Sequence, residues 1–183
     1  MPNAEVAELS RVAVLCCRPH SVYKSIEGLD CYDRRRDART FAGGMPVIAH
    51  PPCRYWLKGL FGRQARAAAD AAAIQAEREL GLRCAEQVKR WGGILEQPRG
   101  SELWEAADLP PPGRMRPREF SLLVWQSWWG FEFRKATWLF FSGIDRDQIR
   151  LPIMHMRFAN WLVDLARMAR PAENHKSQIS SSK

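Results

Sequence analysis

No run of apolar residues in the 183-residue chain approaches the length needed to cross a bilayer. Residues 1–10 carry two glutamates and no hydrophobic stretch of the kind a secretory leader requires. The expectation is a cytoplasmic protein, with no membrane partner. CxxC spacing is also missing: the five cysteines, Cys16, Cys17, Cys31, Cys53 and Cys84, form an odd and scattered set. That excludes a zinc ribbon and argues against a disulfide framework. Internal repeats are absent, and the polar, serine-rich residues 174–183 are too poor in apolar side chains to order themselves. What is left has the size and composition of one globular domain. It is expected to span residues 11–170, between an N-terminal extension (residues 1–10) and a polar tail (residues 171–183).

Charge is plentiful and unbalanced, with 28 Lys and Arg against 20 Asp and Glu, a formal net charge of +8. The excess lies in residues 51–100 and 151–183. Such a balance favours an anionic partner, nucleic acid above all, although a solvated basic surface has the same composition.

Residues 11–17 form an apolar run of the kind found in a strand buried on both faces. A short helix at residues 21–27 and a strand at 29–33 are expected to follow, then a charged loop and a strand at 46–49. The alanine-rich residues 63–80 predict a helix, interrupted at Gly81 and resumed over 83–91. Strands are expected at 94–96, 122–125 and 137–142, and a closing amphipathic helix at 160–168. This alternation predicts an α/β domain, a mainly parallel, Rossmann-like sheet flanked by helices. Ligands of such sheets sit beyond the carboxyl ends of the strands, where Cys17, Asp33, Cys53 and Glu96 would gather.

Three stretches carry chemistry. In Pro46-Val-Ile-Ala-His50-Pro51-Pro52-Cys53-Arg54 a buried strand runs into two prolines that present a cysteine rigidly. A lone cysteine is usually an inert buried thiol, but this setting suits a nucleophile whose pKa Arg54, His50 or backbone N–H groups would lower. Cys53 is then expected to react with iodoacetamide faster than the other four thiols. Ile94-Leu95-Glu96-Gln97-Pro98 places a carboxylate at a strand end, where it can bind or protonate a ring nitrogen, or simply be solvated. Residues 125–143 interleave Trp128, Trp129, Phe131 and Phe133 with Arg134 and Lys135. Aromatics so placed serve either as core or as a surface on which bases stack.

In order and spacing these stretches resemble the DNA cytosine-5 methyltransferases. Pro51-Pro52-Cys53 is similar to their Pro-Cys nucleophile motif, and Glu96-Gln97-Pro98 to their Glu-Asn-Val motif. Trp129-Gly130 through Arg134-Lys135 to Leu139-Phe140-Phe141-Ser142-Gly143 resembles their Tyr-Gly…Gln-Arg-x-Arg-hydrophobic motif. His50-Pro-Pro-Cys53, Gly92-Gly-Ile-Leu-Glu96-Gln-Pro98, Ser101-Glu-Leu-Trp104 and Lys135-Ala-Thr-Trp138 more narrowly resemble short methyltransferase-like proteins encoded in phages and prophages, over roughly residues 11–143.

The resemblance implies a methyltransferase-type fold, S-adenosylmethionine as cofactor, cytosine in DNA or in a nucleotide as substrate, and the cytoplasm of a bacterial host as location. Cys53 would add to C6 of the base, Glu96 would contact N3 and assist its protonation, and Arg134 or Lys135 would steady the ring or its phosphate. Cofactor contacts would come from Cys17, Asp30, Asp33, Asp37 and Pro51, and nucleic-acid contacts from Arg54, Lys58, Arg99 and Arg134. No metal is expected. The chain departs from the family at three points. Its first strand leads into Leu15-Cys-Cys-Arg-Pro-His-Ser21, with no glycine before Gly28. Gln97 replaces asparagine, and fewer than about 20 residues separate Gly143 from the closing helix. Recognition of a target sequence would therefore fall to a protein partner. Two alternatives stand beside this reading. One is a pyrimidine-modifying enzyme with another donor or none. The other is a non-catalytic module that binds nucleic acid or a host protein, as in phage counter-defence.

Overall fold

The computed structural model describes residues 11–150 and 157–172. The expected extension at 1–10 and the tail from 173 onward lie outside the described residues. Residues 171 and 172 do not belong to a free tail, because the Ala172 N–H bonds to the Arg90 carbonyl at 3.0 Å.

Seven strands form one sheet: β1 (Val12–Leu15), β2 (Leu29–Cys31), β3 (Val47–Ala49), β4 (Gly93–Pro98), β5 (Met115–Arg116), β6 (Glu119–Trp125) and β7 (Ala136–Ser142). Their order is β2-β1-β3-β4-β7-β6-β5. The first four are parallel, and β7, β6 and β5 extend the sheet with antiparallel pairings. The expected mainly parallel sheet is thus mixed. The physical reason lies in the chain connection: only ten residues join β6 to β7, enough for a hairpin and too few for a parallel crossover.

Alternate strand residues feed two cores. Val12, Val14, Ile48, Ile94, Leu139 and Phe141 point to one face, covered by α4 (Phe158–Arg167) through Trp161, Leu162 and Leu165. Ala13, Leu15, Val47, Ala49, Leu95 and Phe140 point to the other. There they meet Cys84, Ala85 and Val88 of α2 (Ala71–Trp91), with Leu103 and Trp104 of α3 (Leu103–Ala106). Burial on both faces explains why the central strands are continuously apolar.

The helical segment divides at a different place from the one its composition suggests. α1 (Gly59–Ala67) ends before Asp70, whose carboxylate accepts from the Ala72 N–H and caps α2. α2 then runs unbroken through Gly81. A Cβ at Gly81 would lie 2.6 Å from Nε1 of Trp56, a residue only 1% exposed. This glycine makes room for an indole and does not end a helix. Gly93 (φ +125°) serves strand pairing in a similar way, since a Cβ there would lie 1.9 Å from the Val47 carbonyl oxygen. The expected helix at 21–27 is a single 3₁₀ turn, Val22–Ser25.

Candidate active site

At the carboxyl ends of β1, β3 and β4 lies a cavity of about 440 Å³. Parallel register builds it: Ala49 pairs with Leu95, so the next residues, His50 just past β3 and Glu96 within β4, emerge side by side. Pro51, Pro52 and Cys53 carry the chain along the rim, and Cys17, Tyr23 and Lys135 complete the wall. Gln97, almost wholly buried, donates its Nε2–H to the Pro51 carbonyl, and its Oε1 accepts from Ser101 Oγ at 3.3 Å. It thereby fixes the loop that bears Cys53. Arg78 braces the far side of that loop through the Tyr55 carbonyl at 3.0 Å.

Glu96 is the most heavily engaged group. Its Oε2 lies 3.1 Å from His50 Nδ1, while Oε1 accepts from Gln126 Nε2 at 3.2 Å and from Lys135 Nζ at 3.4 Å. Burial pushes its pKa up, but the hydrogen bond and charge of His50 and the Lys135 ammonium outweigh it and hold the carboxyl below its ordinary value. The far nitrogen of the imidazole, Nε2, is 2.9 Å from the Tyr23 hydroxyl. Burial and the Glu96 charge raise the Tyr23 pKa, which keeps that hydroxyl protonated. Since a carboxylate only accepts, Nδ1 carries a proton, and Tyr23 donates to neutral His50 or accepts from its charged form. The imidazole can take or release a proton without losing a hydrogen bond.

Cys53 is half-buried. Burial, and then the neighbouring Glu96 charge, raise its pKa, with Lys135 opposing them. The expected acidic thiol is therefore corrected. Arg54 turns away to Glu77, with Nε 3.0 Å from Oε1, and lies over the Tyr55 ring, while His50 is committed to Tyr23 and Glu96.

A second chamber of about 250 Å³ adjoins the first and shares Cys16, Cys17 and Pro52 with it. Asp33 and Asp37 line this chamber. Asp33 is ion-paired with Lys24 and accepts the Arg35 N–H at 2.8 Å, contacts that hold its pKa down at about 2. Asp37 accepts the Arg39 N–H at 2.8 Å. Asp30 does not line the chamber; it is ion-paired with Arg36 and accepts from the Tyr32 hydroxyl at 3.3 Å. Where the resembled family places glycines, Cys16 makes the turn itself at φ +62°, a left-handed conformation that costs a non-glycine residue roughly 1–2 kcal/mol. Its Sγ lies 3.8 Å from that of the buried Cys84.

Several expected residues fall outside both chambers. Arg134 lies over the Trp125 ring at 4.9 Å and does not line the cavity. Lys58 is exposed at the start of α1, beside a separate shallow depression with Trp104 and Trp138. Arg99 is also exposed, with its N–H on the Ala136 carbonyl at 3.1 Å. Sequence reasoning missed Tyr23 and Gln126 altogether and gave His50 a different task. For His50 a signal existed, since a polar residue directly after a central strand sits at the sheet edge where ligands bind. Comparison with family models, with curated proteins and with solved structures found no match. Among the described residues no cluster of metal-binding side chains occurs, and no helix is long and apolar enough to cross a membrane.

Proposed function

We propose that the chain is a cytosine-5-methyltransferase-like enzyme of Rossmann-like type that acts on cytosine in DNA or in a nucleotide, with Cys53 as nucleophile. The observation that carries this reading is the meeting of Cys53, Glu96 and Lys135 in one cavity at the carboxyl edge of the sheet. The cavity is the size of a small-molecule site. In the proposed reaction Cys53 loses its thiol proton to solvent, its sulfur forms a bond to C6 of the ring, and the displaced electron pair is neutralised by a proton placed on N3. Glu96, held as a carboxylate, needs a proton from elsewhere. Protonated His50 passes its Nδ1 proton to Oε2, and the neutral imidazole keeps its Nε2 proton, so Tyr23 remains the acceptor that holds the ring in place. Addition leaves C5 electron-rich. Once C5 has bonded an electrophile, its proton goes to solvent, the pair of that C–H bond restores the C5=C6 double bond, the S–C6 pair returns to Cys53, and the N3 proton goes back through Glu96 to His50.

S-adenosylmethionine, when bound, supplies an electrophilic methyl group. The second chamber suits its nucleoside part in position, next to the Cys53 cavity, and in its carboxylate acceptors. There Asp37, and Asp33 on exchange of Lys24, would hold hydroxyl or amino groups, with Cys17 between the two chambers and Pro51 on the wall of the first. The same ion pairs favour a second reading, a non-catalytic module that binds nucleic acid or a host protein, because Asp33 and Asp30 already have partners.

Covalent capture separates the two. Wild type should become cross-linked to DNA containing 5-fluorocytosine in the presence of S-adenosylmethionine, and Cys53→Ala should not. Capture without the cofactor would indicate another donor or none. No capture by wild type, with salt-sensitive DNA binding retained, would replace the enzyme with the binding module.

A further inference from the structure

The β6–β7 hairpin, residues 126–135, rises from the same edge of the sheet as the Cys53 cavity. Its base is part of that cavity's support: Gln126 and Lys135 both donate to Glu96, and the Gln126 N–H bonds to the Lys135 carbonyl at 3.0 Å. Its two adjacent tryptophans part company. Trp129 packs against Phe158 and Trp161 of α4, with ring centroids 4.8 and 4.9 Å away, and so anchors the hairpin to the core. Trp128 is 51% exposed, Phe131 56% and Phe133 72%. A monomeric domain has no stability reason to project three large aromatics from one short turn.

We infer, resting on the nucleic-acid reading above, that this hairpin is the docking platform for single-stranded DNA, on which bases flanking the target stack against Trp128, Phe131 and Phe133. Charge selects this occupant over an apolar protein surface. Arg134 and Lys135 follow the aromatics directly, and Arg99 is tied to the hairpin's root through the Ala136 carbonyl. Glu132 is the one acidic residue among residues 126–135. Interleaved aromatic and basic side chains match a flexible strand, whose bases present faces for stacking and whose phosphates meet the cations. A duplex keeps those faces stacked on one another. A strand threaded along the hairpin would also deliver one unstacked base to the cavity beside it.

The test is fluorescence anisotropy of a labelled oligodeoxycytidine, single-stranded or annealed to its complement, titrated with three proteins: wild type, W128A/F131A/F133A and W128F/F131Y/F133Y. Wild type should bind the single strand more tightly than the duplex, and affinity should fall as salt rises. The alanine variant should bind at least tenfold more weakly, and the aromatic variant should stay within about threefold of wild type. An unchanged melting temperature shows that the alanine variant is folded, as expected for exposed positions. Equal binding by the alanine variant, a preference for duplex, or no binding at all would overturn the inference, the last assigning the patch to a protein partner. The assay reads binding without chemistry. Hairpin-dependent binding by a protein that never bonds through Cys53 would therefore overturn the proposed enzyme and leave the platform standing.

Discussion

His50 Nδ1 lies 3.1 Å from Glu96 Oε2, and the far side of the same imidazole lies 2.9 Å from the Tyr23 hydroxyl. Three residues from three separate segments thus form one hydrogen-bonded chain that ends on the carboxylate beside Cys53. Removing its centre leaves the buried Tyr23 hydroxyl without a partner and Glu96 with only the two donors on Oε1, Gln126 and Lys135. His50→Ala should destabilise the fold by about 2 kcal/mol, read from urea unfolding, with no change in the denaturant slope.

The Glu96 charge raises the Cys53 pKa, and Lys135 lowers it. Glu96→Gln should therefore speed alkylation of Cys53 by iodoacetamide at about pH 8, and Lys135→Ala should slow it. Peptide mapping of the alkylated sites checks both. In wild type the Cys53 rate should climb steadily toward alkaline pH, because the thiol sits above its ordinary value.

Acid should weaken the fold in part through Glu96. Its folded pKa is depressed below the ordinary 4.5, so its contribution is fully present above that unfolded value and is lost as pH falls through the lower folded one. Urea midpoints measured between about pH 6 and pH 3 should drop less steeply in Glu96→Gln than in wild type.

Gly81→Ala sets helix propensity against packing. Alanine gains about 1 kcal/mol in the middle of α2, yet its Cβ would meet the Trp56 indole nitrogen at 2.6 Å, and overpacking of that kind costs about 1–3 kcal/mol. The net effect should be destabilising. A higher melting temperature for Gly81→Ala would contradict the close approach of Trp56.

The central strands were legible because burial on both faces writes itself as unbroken apolar sequence: Val12 to Leu15, Val47 to Ala49 and Ile94 to Leu95 all face a core. The same feature hides strand direction, since such runs read alike in parallel and antiparallel neighbours, and so the reversed half of the sheet escaped notice. Composition misplaced the break between α1 and α2, although Asp70 carried a capping signal within the alanines. Cys53, Glu96 and Lys135 were legible as motifs. Arg134 was not separable from Lys135 by sequence: of these neighbours just ahead of β7, Lys135 reaches the cavity and Arg134 lies over Trp125. Tyr23 and Gln126 reach the site only through tertiary packing, which no local pattern encodes.

The most direct test of a bond between Cys53 and cytosine needs no cofactor. Addition at C6 makes C5 exchange its hydrogen with solvent, so wild type incubated with single-stranded oligodeoxycytidine in heavy water should incorporate deuterium at C5, detected by mass spectrometry of the released nucleosides. Cys53→Ser should abolish the exchange and Glu96→Gln should slow it at least tenfold, as expected for loss of proton transfer to N3. Exchange undiminished in Cys53→Ser, or none in wild type with a strand that it demonstrably binds, would contradict Cys53 as the nucleophile.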